Sequence, residues 1–236
     1  MIINHTIFDN IINLIDKNKI SSVEVADALN KTGVLNDLYS LNPGKFVVGK
    51  VKYIYTYNES NWPLHEQIKD VEEDCILYID AFECNNRALF GDIVSKVLML
   101  YKKSRALVID GFLRDAHRLR KENYPIWLKG VTPLGCFNKK VSLSDNIKYK
   151  MEERKKIFDD SIMVCDDSGC TIITKKNINE NFYKKLEFIE LQEDIWYYCV
   201  DTLKWSTFET ICMKNYLKDE NILPKILKDK LEEYQK

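Results

Sequence analysis

Residues 88–115 read ALFGDIVSKVLMLYKKSRALVIDGFLRD, and their order decides the fold class. ALFGDIVSKVLMLYKK (88–103) carries Ile93, Val94, Val97, Leu98 and Tyr101 at helical spacing, which predicts one apolar face. ALVID (106–110) is a short apolar run of buried-strand type, closed by Gly111. Upstream, CILYID (75–80) has the same character, and KFVVGKVKYIYTY (45–57) is a long β-branched and aromatic strand run. PLHEQIKDVE (63–72) reads as a short helix with Pro at its start, and PIWLKG (125–130) as another strand. Strand, helix and strand in succession predict parallel βαβ units in an α/β fold.

Outside this region the signals are coarser. Residues 6–17 and 22–30 are predicted helical, the second capped by Ser21 or Ser22. NIKYKM, RKKIF, SIMVCDD and CTIIT, between about 140 and 175, read as β-like. From about 178 onward the pattern is helical and polar, and KDENILPKILKDKLEEYQK (218–236) reads as a charged, peripheral tail. The expected division is an N-terminal helical extension (1–19), a main domain (20–217) and the tail (218–236).

Composition narrows the function classes. The 236 residues carry 35 basic and 36 acidic side chains, a net charge of −1, so nothing demands nucleic acid or an anionic membrane. No apolar run approaches the roughly 20 residues of a membrane span, and the N-terminus lacks the layout of a signal peptide. Seven widely spread cysteines, an odd number, suit free thiols in a reducing cytoplasm. Cys165 and Cys170 form a CxxxxC pair, which is not a zinc spacing. There are only eight glycines, so each is expected where the backbone needs one. Arginine is scarcer still: six of the 35 basic residues, three of them between Arg114 and Arg120.

Chemistry on a parallel sheet is expected at the carboxyl ends of its strands. Asp80 ends one strand; Gly91-Asp92-Ile93-Val94 opens a helix whose free N–H groups can hold an anion; Asp110-Gly111 ends the next strand just before Arg114-Asp115. A guanidinium can grip a carboxylate bidentately, and a neighbouring carboxylate can hold magnesium. A carboxylate substrate beside such an ion is an arrangement that stabilises an enolate. Taken alone, Arg114 and Asp115 read more readily as a surface ion pair capping a helix.

Residues 88–115 and 125–135 resemble the regulator-of-ribonuclease-activity A (RraA)-like family, which includes the class II 4-hydroxy-4-methyl-2-oxoglutarate aldolases. The resemblance lies in Gly91-Asp92, Asp110-Gly111, Arg114-Asp115 and PIWLKGVTPLG (125–135), with support from Asp27, Val48-Gly49 and the hairpin-like SIMVCDDSGCTIIT (161–174). It covers about 20–215 in patches. It implies a swivelling β/β/α domain with an extra N-terminal helix and a C-terminal helical tail.

The resemblance also implies a divalent-metal-dependent lyase acting on a 2-oxo acid, by retro-aldol cleavage or oxaloacetate-type decarboxylation through a pyruvate enolate. The backbone at Gly91, Asp92, Ile93 and Val94 would hold the substrate carboxylate. Arg114 would bind substrate, Asp92 would share in proton transfer, and Asp115 would ligate Mg2+ or Mn2+. Glu193 of a neighbouring subunit would reach the metal through water, with Glu187 and Glu190 as competitors, in a cytoplasmic homotrimer or hexamer. The alternatives are a non-catalytic oligomeric regulator of the same type, or the same site redirected to a sugar-like biosynthetic substrate. The chain departs from the family pattern in having 21 residues between Asp92 and Arg114, one more than usual. It also has Phe158-Asp159-Asp160 where a Gly-Asp entry is common. His65 and His117 both read first as surface or core residues, with His117 a lesser candidate for the pocket edge and Arg87 for a second anion contact, and Tyr124 and Trp127 read as packing.

Overall fold

The structure, a computed structural model, describes residues 5–235. Residues 1–4 of the expected extension and residue 236 of the tail lie outside them. The chain divides into two compact units, Met1–Asn179 and Glu180–Lys236.

The first unit is built on one eight-stranded sheet: β1 (Val34–Leu35), β2 (Tyr39–Ser40), β3 (Val47–Tyr57), β4 (Ile76–Phe82), β5 (Ala106–Leu113), β6 (Ile126–Val131), β7 (Ile162–Asp166) and β8 (Gly169–Ile173), in the order β1-β8-β7-β3-β4-β5-β6-β2. The central β3-β4-β5-β6 run is parallel. Each crossover carries a helix: α3 (Trp62–Gln67), α4 (Asp92–Lys96) or α5 (Ala116–Glu122). Alternation along the strands divides the core. Leu77, Ile79, Leu107 and Ile109 face Leu64 of α3, Leu98 beyond α4 and Leu119 of α5. Ile76, Tyr78, Ala106 and Val108 face the other way, against Met163, Cys165 and Ile172 of the β7–β8 hairpin.

At the amino end, α1 (His5–Asn18) buries Ile7, Ile11 and Ile15, spaced one turn apart. α2 (Ser22–Ala28) begins in a capping box, Ser21 and Glu24 each satisfying the other's backbone amide.

Three expectations are corrected. NIKYKM and RKKIF are not β-like: they form α6 (Asp145–Phe158), capped by Ser144 and burying Ile147, Met151 and Phe158. The helix expected over 88–103 starts at Asp92 and continues past α4 as a wider turn over Val97–Tyr101. Residues 88–90 are instead strand-like: Leu89 N–H donates to the Phe112 carbonyl (2.9 Å) and Arg114 N–H to the Phe90 carbonyl (3.0 Å). Ile93 and Tyr101 lie on the solvent side of this helix, while Val94, Leu98 and Met99 reach the core.

In the second unit, α7 (Glu180–Tyr197) and α8 (Lys225–Gln235) share a small core of Leu191, Ile195, Tyr216, Leu223 and Leu231. The tail therefore packs with residues 180–217 and is not merely peripheral.

Candidate active site

β5 ends in Leu113, and the next two residues turn sharply. Asp115 adopts a left-handed conformation (φ 60°, ψ 31°) as it starts α5, which a short polar side chain tolerates best. This turn carries Asp115 and Arg114 across to the start of α4. The Asp115 Oδ2 accepts from the Asp92 N–H (3.2 Å) and lies 3.7 Å from Arg114 Nε. Gly91 makes this possible: a Cβ on it would fall 2.0 Å from Asp115 Oδ2 and 2.9 Å from Arg114 Cγ. A Cβ on Gly135 would fall 2.9 Å from Arg114 Nη1. The Arg114 side chain is thus bracketed, stem and guanidinium, by two positions that have no room for a side chain.

The residues enclose a cavity of about 220 Å3 lined by Gly91, Asp92, Val94, Arg114 and Asp115. That is below the roughly 300–1,000 Å3 of drug-sized ligand sites and suits a small acid. Gly91, Asp92, Ile93, Val94, Arg114 and Asp115, separated by 20 residues and more in the chain, all line it. One expected detail changes. The first amide of α4 is taken by Asp115, and the Ile93 amide also serves the Asp92 carboxylate, so the helix start is partly occupied by the chain's own carboxylates. The Ile93 side chain is 74% exposed, so only its backbone is positioned to contribute.

The Asp92 carboxylate does not stand alone. Arg118, one turn into α5, holds it at 2.7 Å, and that contact keeps its carboxyl below the usual carboxylate range. Arg118 was visible in the sequence only as one of a local group of arginines.

On the far wall is Asn61, 7% exposed. Its amide nitrogen donates to the Leu89 carbonyl (3.2 Å), while its Oδ1 is buried and has no hydrogen-bond partner. His65, one turn on, lines the same cavity, and burial lowers its imidazole below the usual value. No sequence motif marked either residue. His117 is exposed and outside the cavity lining. Arg87 pairs with Glu59 (3.1 Å) and donates to the Gly135 carbonyl (3.1 Å), so it braces the wall instead of facing an anion. Trp127 is buried packing, its Nε1 donating to the Asp166 carbonyl at 2.7 Å.

Asp80 and Asp110 lie on the opposite face of the sheet. Arg154 of α6 grips Asp80 through two nitrogens and reaches Asp110 (3.2 Å), while Lys129 also pairs with Asp110. Tyr53 and Tyr78 donate to the two carboxylates, at 2.8 and 3.0 Å. This is a structural network, not part of the cavity. Glu193, in the second unit, is half-buried and lines a separate hollow with Trp196, Tyr197 and Thr210.

Among the described residues no group of three or more His, Cys, Asp or Glu could hold a metal. The carboxylates that line the cavity are Asp115 and Asp92, the latter paired with Arg118, so a cation there would meet few protein donors. That chemistry fits magnesium or manganese, which bind through few carboxylates and retain waters, and does not fit a closed zinc site.

Comparison with known proteins bears on the fold and the family. Residues 22–172 match the RraA-like family described as Aldolase/RraA, and the chain belongs to that family. A Bacillus anthracis relative, provisionally named 4-hydroxy-4-methyl-2-oxoglutarate aldolase, is 24% identical over 131 residues, covering 53% of this chain and 78% of the relative. Among solved structures, an uncharacterized protein of Pseudomonas syringae pv. tomato superposes with a TM-score of 0.63 at 20% identity, over 89% of this chain and 98% of its own. Streptomyces coelicolor RraAS2, described as an unusual member of the RNase ES inhibitor RraA family, gives 0.58 at 20% identity, over 75% and 92%. These similarities support the RraA fold. No helix among the described residues is long and apolar enough to cross a membrane.

Proposed function

We propose that the chain is a divalent-metal-dependent lyase that cleaves a carbon–carbon bond beside a 2-oxo acid, by retro-aldol chemistry or decarboxylation. The observation that carries this reading is the stacking of Gly91, Arg114 and Asp115, which packs a guanidinium and a carboxylate against a helix start within a cavity of small-acid size. Asp115 would hold Mg2+ or Mn2+. When bound, the cation would draw charge from the 2-oxo oxygen as the enolate develops.

The chain's own residues do the rest. The Val94 amide and Arg114 bind and orient the substrate carboxylate. Retro-aldol cleavage requires a proton to leave the substrate hydroxyl while the bond electrons move into the 2-oxo group. Asp92, kept anionic by Arg118, serves as hydrogen-bond acceptor for that hydroxyl or for water, in place of a neutral acid. Asn61 Oδ1 offers a second buried acceptor for a substrate hydroxyl. The reading extends to a cytoplasmic homotrimer or hexamer in which Glu193 of a neighbouring subunit approaches the site. The built cavity favours this reading over a purely regulatory protein.

The test supplies magnesium or manganese with oxaloacetate and with 4-hydroxy-4-methyl-2-oxoglutarate and follows pyruvate through a coupled dehydrogenase. Metal-dependent pyruvate release should fall about a hundred-fold or more in Arg114→Ala and in Asp115→Ala. Equal turnover in wild type and both variants would refute the site.

A further inference from the structure

The cavity wall also contains a pair of thiols that the lyase reading does not use. Cys136 lines the cavity beside Gly135. Cys84, buried at the turn after β4, donates its thiol to the Phe82 carbonyl (3.5 Å) and interacts with Cys136, which packs against the same core cluster. The two loops are laced together. Ala88 N–H donates to the Leu134 carbonyl (2.8 Å), Cys136 N–H to the Ala88 carbonyl (2.9 Å), and Arg87 N–H to the Cys84 carbonyl (2.9 Å). Arg87 then reaches across to the Gly135 carbonyl. The two segments that carry the thiols are thereby joined by main-chain contacts at Ala88 and by the Arg87 side chain.

We propose that Cys84 and Cys136 form a peroxide-sensitive dithiol in the cavity wall, with Cys136 as the attacking thiolate and Cys84 as the resolving thiol. The Cys84 hydrogen bond and the nearby Arg87 charge lower the Cys136 thiol, while its hydrogen bond to Cys136 and burial keep Cys84 protonated. Cys136 sulfur attacks a hydroperoxide oxygen and the O–O bond breaks, giving a sulfenic acid and one water or alcohol. Cys84 sulfur then attacks the Cys136 sulfur; the S–O bond breaks and a second water leaves with the Cys84 proton. Two electrons pass from the sulfurs to the peroxide, and the net product is one disulfide.

Two other features serve as internal controls. Cys165 and Cys170 face each other across β7 and β8 but are buried, and burial raises the Cys165 thiol. Cys212 is exposed. The experiment treats the reduced full chain with stoichiometric hydrogen peroxide and maps its peptides without reduction. The expected product joins the Cys84 and Cys136 peptides, lacks the mass of two hydrogens, and reverts with dithiothreitol. Cys136 should react about tenfold faster than Cys212. In Cys84→Ser, dimedone should trap a sulfenic acid at Cys136; in Cys136→Ser the cross-link should be absent. A disulfide at Cys165–Cys170, or oxidation of Cys212 while Cys84 and Cys136 stay reduced, would overturn the proposal. None of these readouts depends on turnover, so they stand apart from the lyase test.

Discussion

A carboxylate can lie against the backbone at position 91 only because residue 91 has no Cβ. Gly91→Ala should therefore move Asp115 and Arg114 while leaving the core intact: metal-dependent turnover should drop about tenfold or more, with an unchanged unfolding midpoint. Asn61→Ala should lower kcat/KM by about tenfold for a hydroxyl-bearing substrate, since a buried acceptor loses its role. Arg118→Gln tests the charge balance. Asp92 has a depressed carboxyl in the folded chain, so its contribution to stability is present above the unfolded value and fades as pH falls through the folded one. Removing Arg118 should move the Asp92 titration, followed by NMR, upward toward the ordinary carboxylate range. At this scale the sequence exposed what lies in local order. Gly91-Asp92 and Arg114-Asp115 each sit next to a chain reversal, and the strand between them fixes their meeting. Asn61, His65 and Cys136 come from segments whose approach is set only by the tertiary fold, so no spacing announces them.

Among the elements, α6 shows why the β-like reading of 146–158 failed. Read in short pieces, NIKYKM and RKKIF are aromatic and β-branched. Over fourteen residues, Ile147, Met151 and Phe158 fall at intervals of four and seven, the period of a helix, behind a Ser144 cap. The parallel strands were easier, because their central runs are apolar on both faces, with the carboxylates Asp80 and Asp110 coming only toward the strand ends. What fastens α6 to the sheet is Arg154. Asp80, with a side chain only 3% exposed, has its carboxyl raised by burial even against the pull of Arg154. Arg154→Met would leave that carboxylate uncompensated and raise it further. A raised folded value gives stability that is full below the unfolded carboxyl range and is lost as pH rises through the folded one. The variant should thus be destabilised by about 3 kcal/mol at pH about 7.5 in urea denaturation, and by distinctly less near pH about 4.5.

For the whole molecule, one sheet serves two purposes. One face, covered by α3, α4 and α5, opens at its carboxyl end into the cavity; the other closes on the β7–β8 hairpin and the Asp80–Arg154 network. The glycine economy follows the same plan, since Gly91 and Gly135 are kept where Arg114 and Asp115 need their space. The sequence exposed the α/β order and the family, but not the grouping of residues 180–235, whose polar helices share a core too small to leave a strong pattern. The central claim is that Asp115 holds a divalent cation beside a 2-oxo acid. Water-proton relaxation during a Mn2+ titration reads that directly. The account predicts one site per chain, tightened by pyruvate and lost in Asp115→Asn; Mn2+ binding that is the same in Asp115→Asn and indifferent to pyruvate would contradict it.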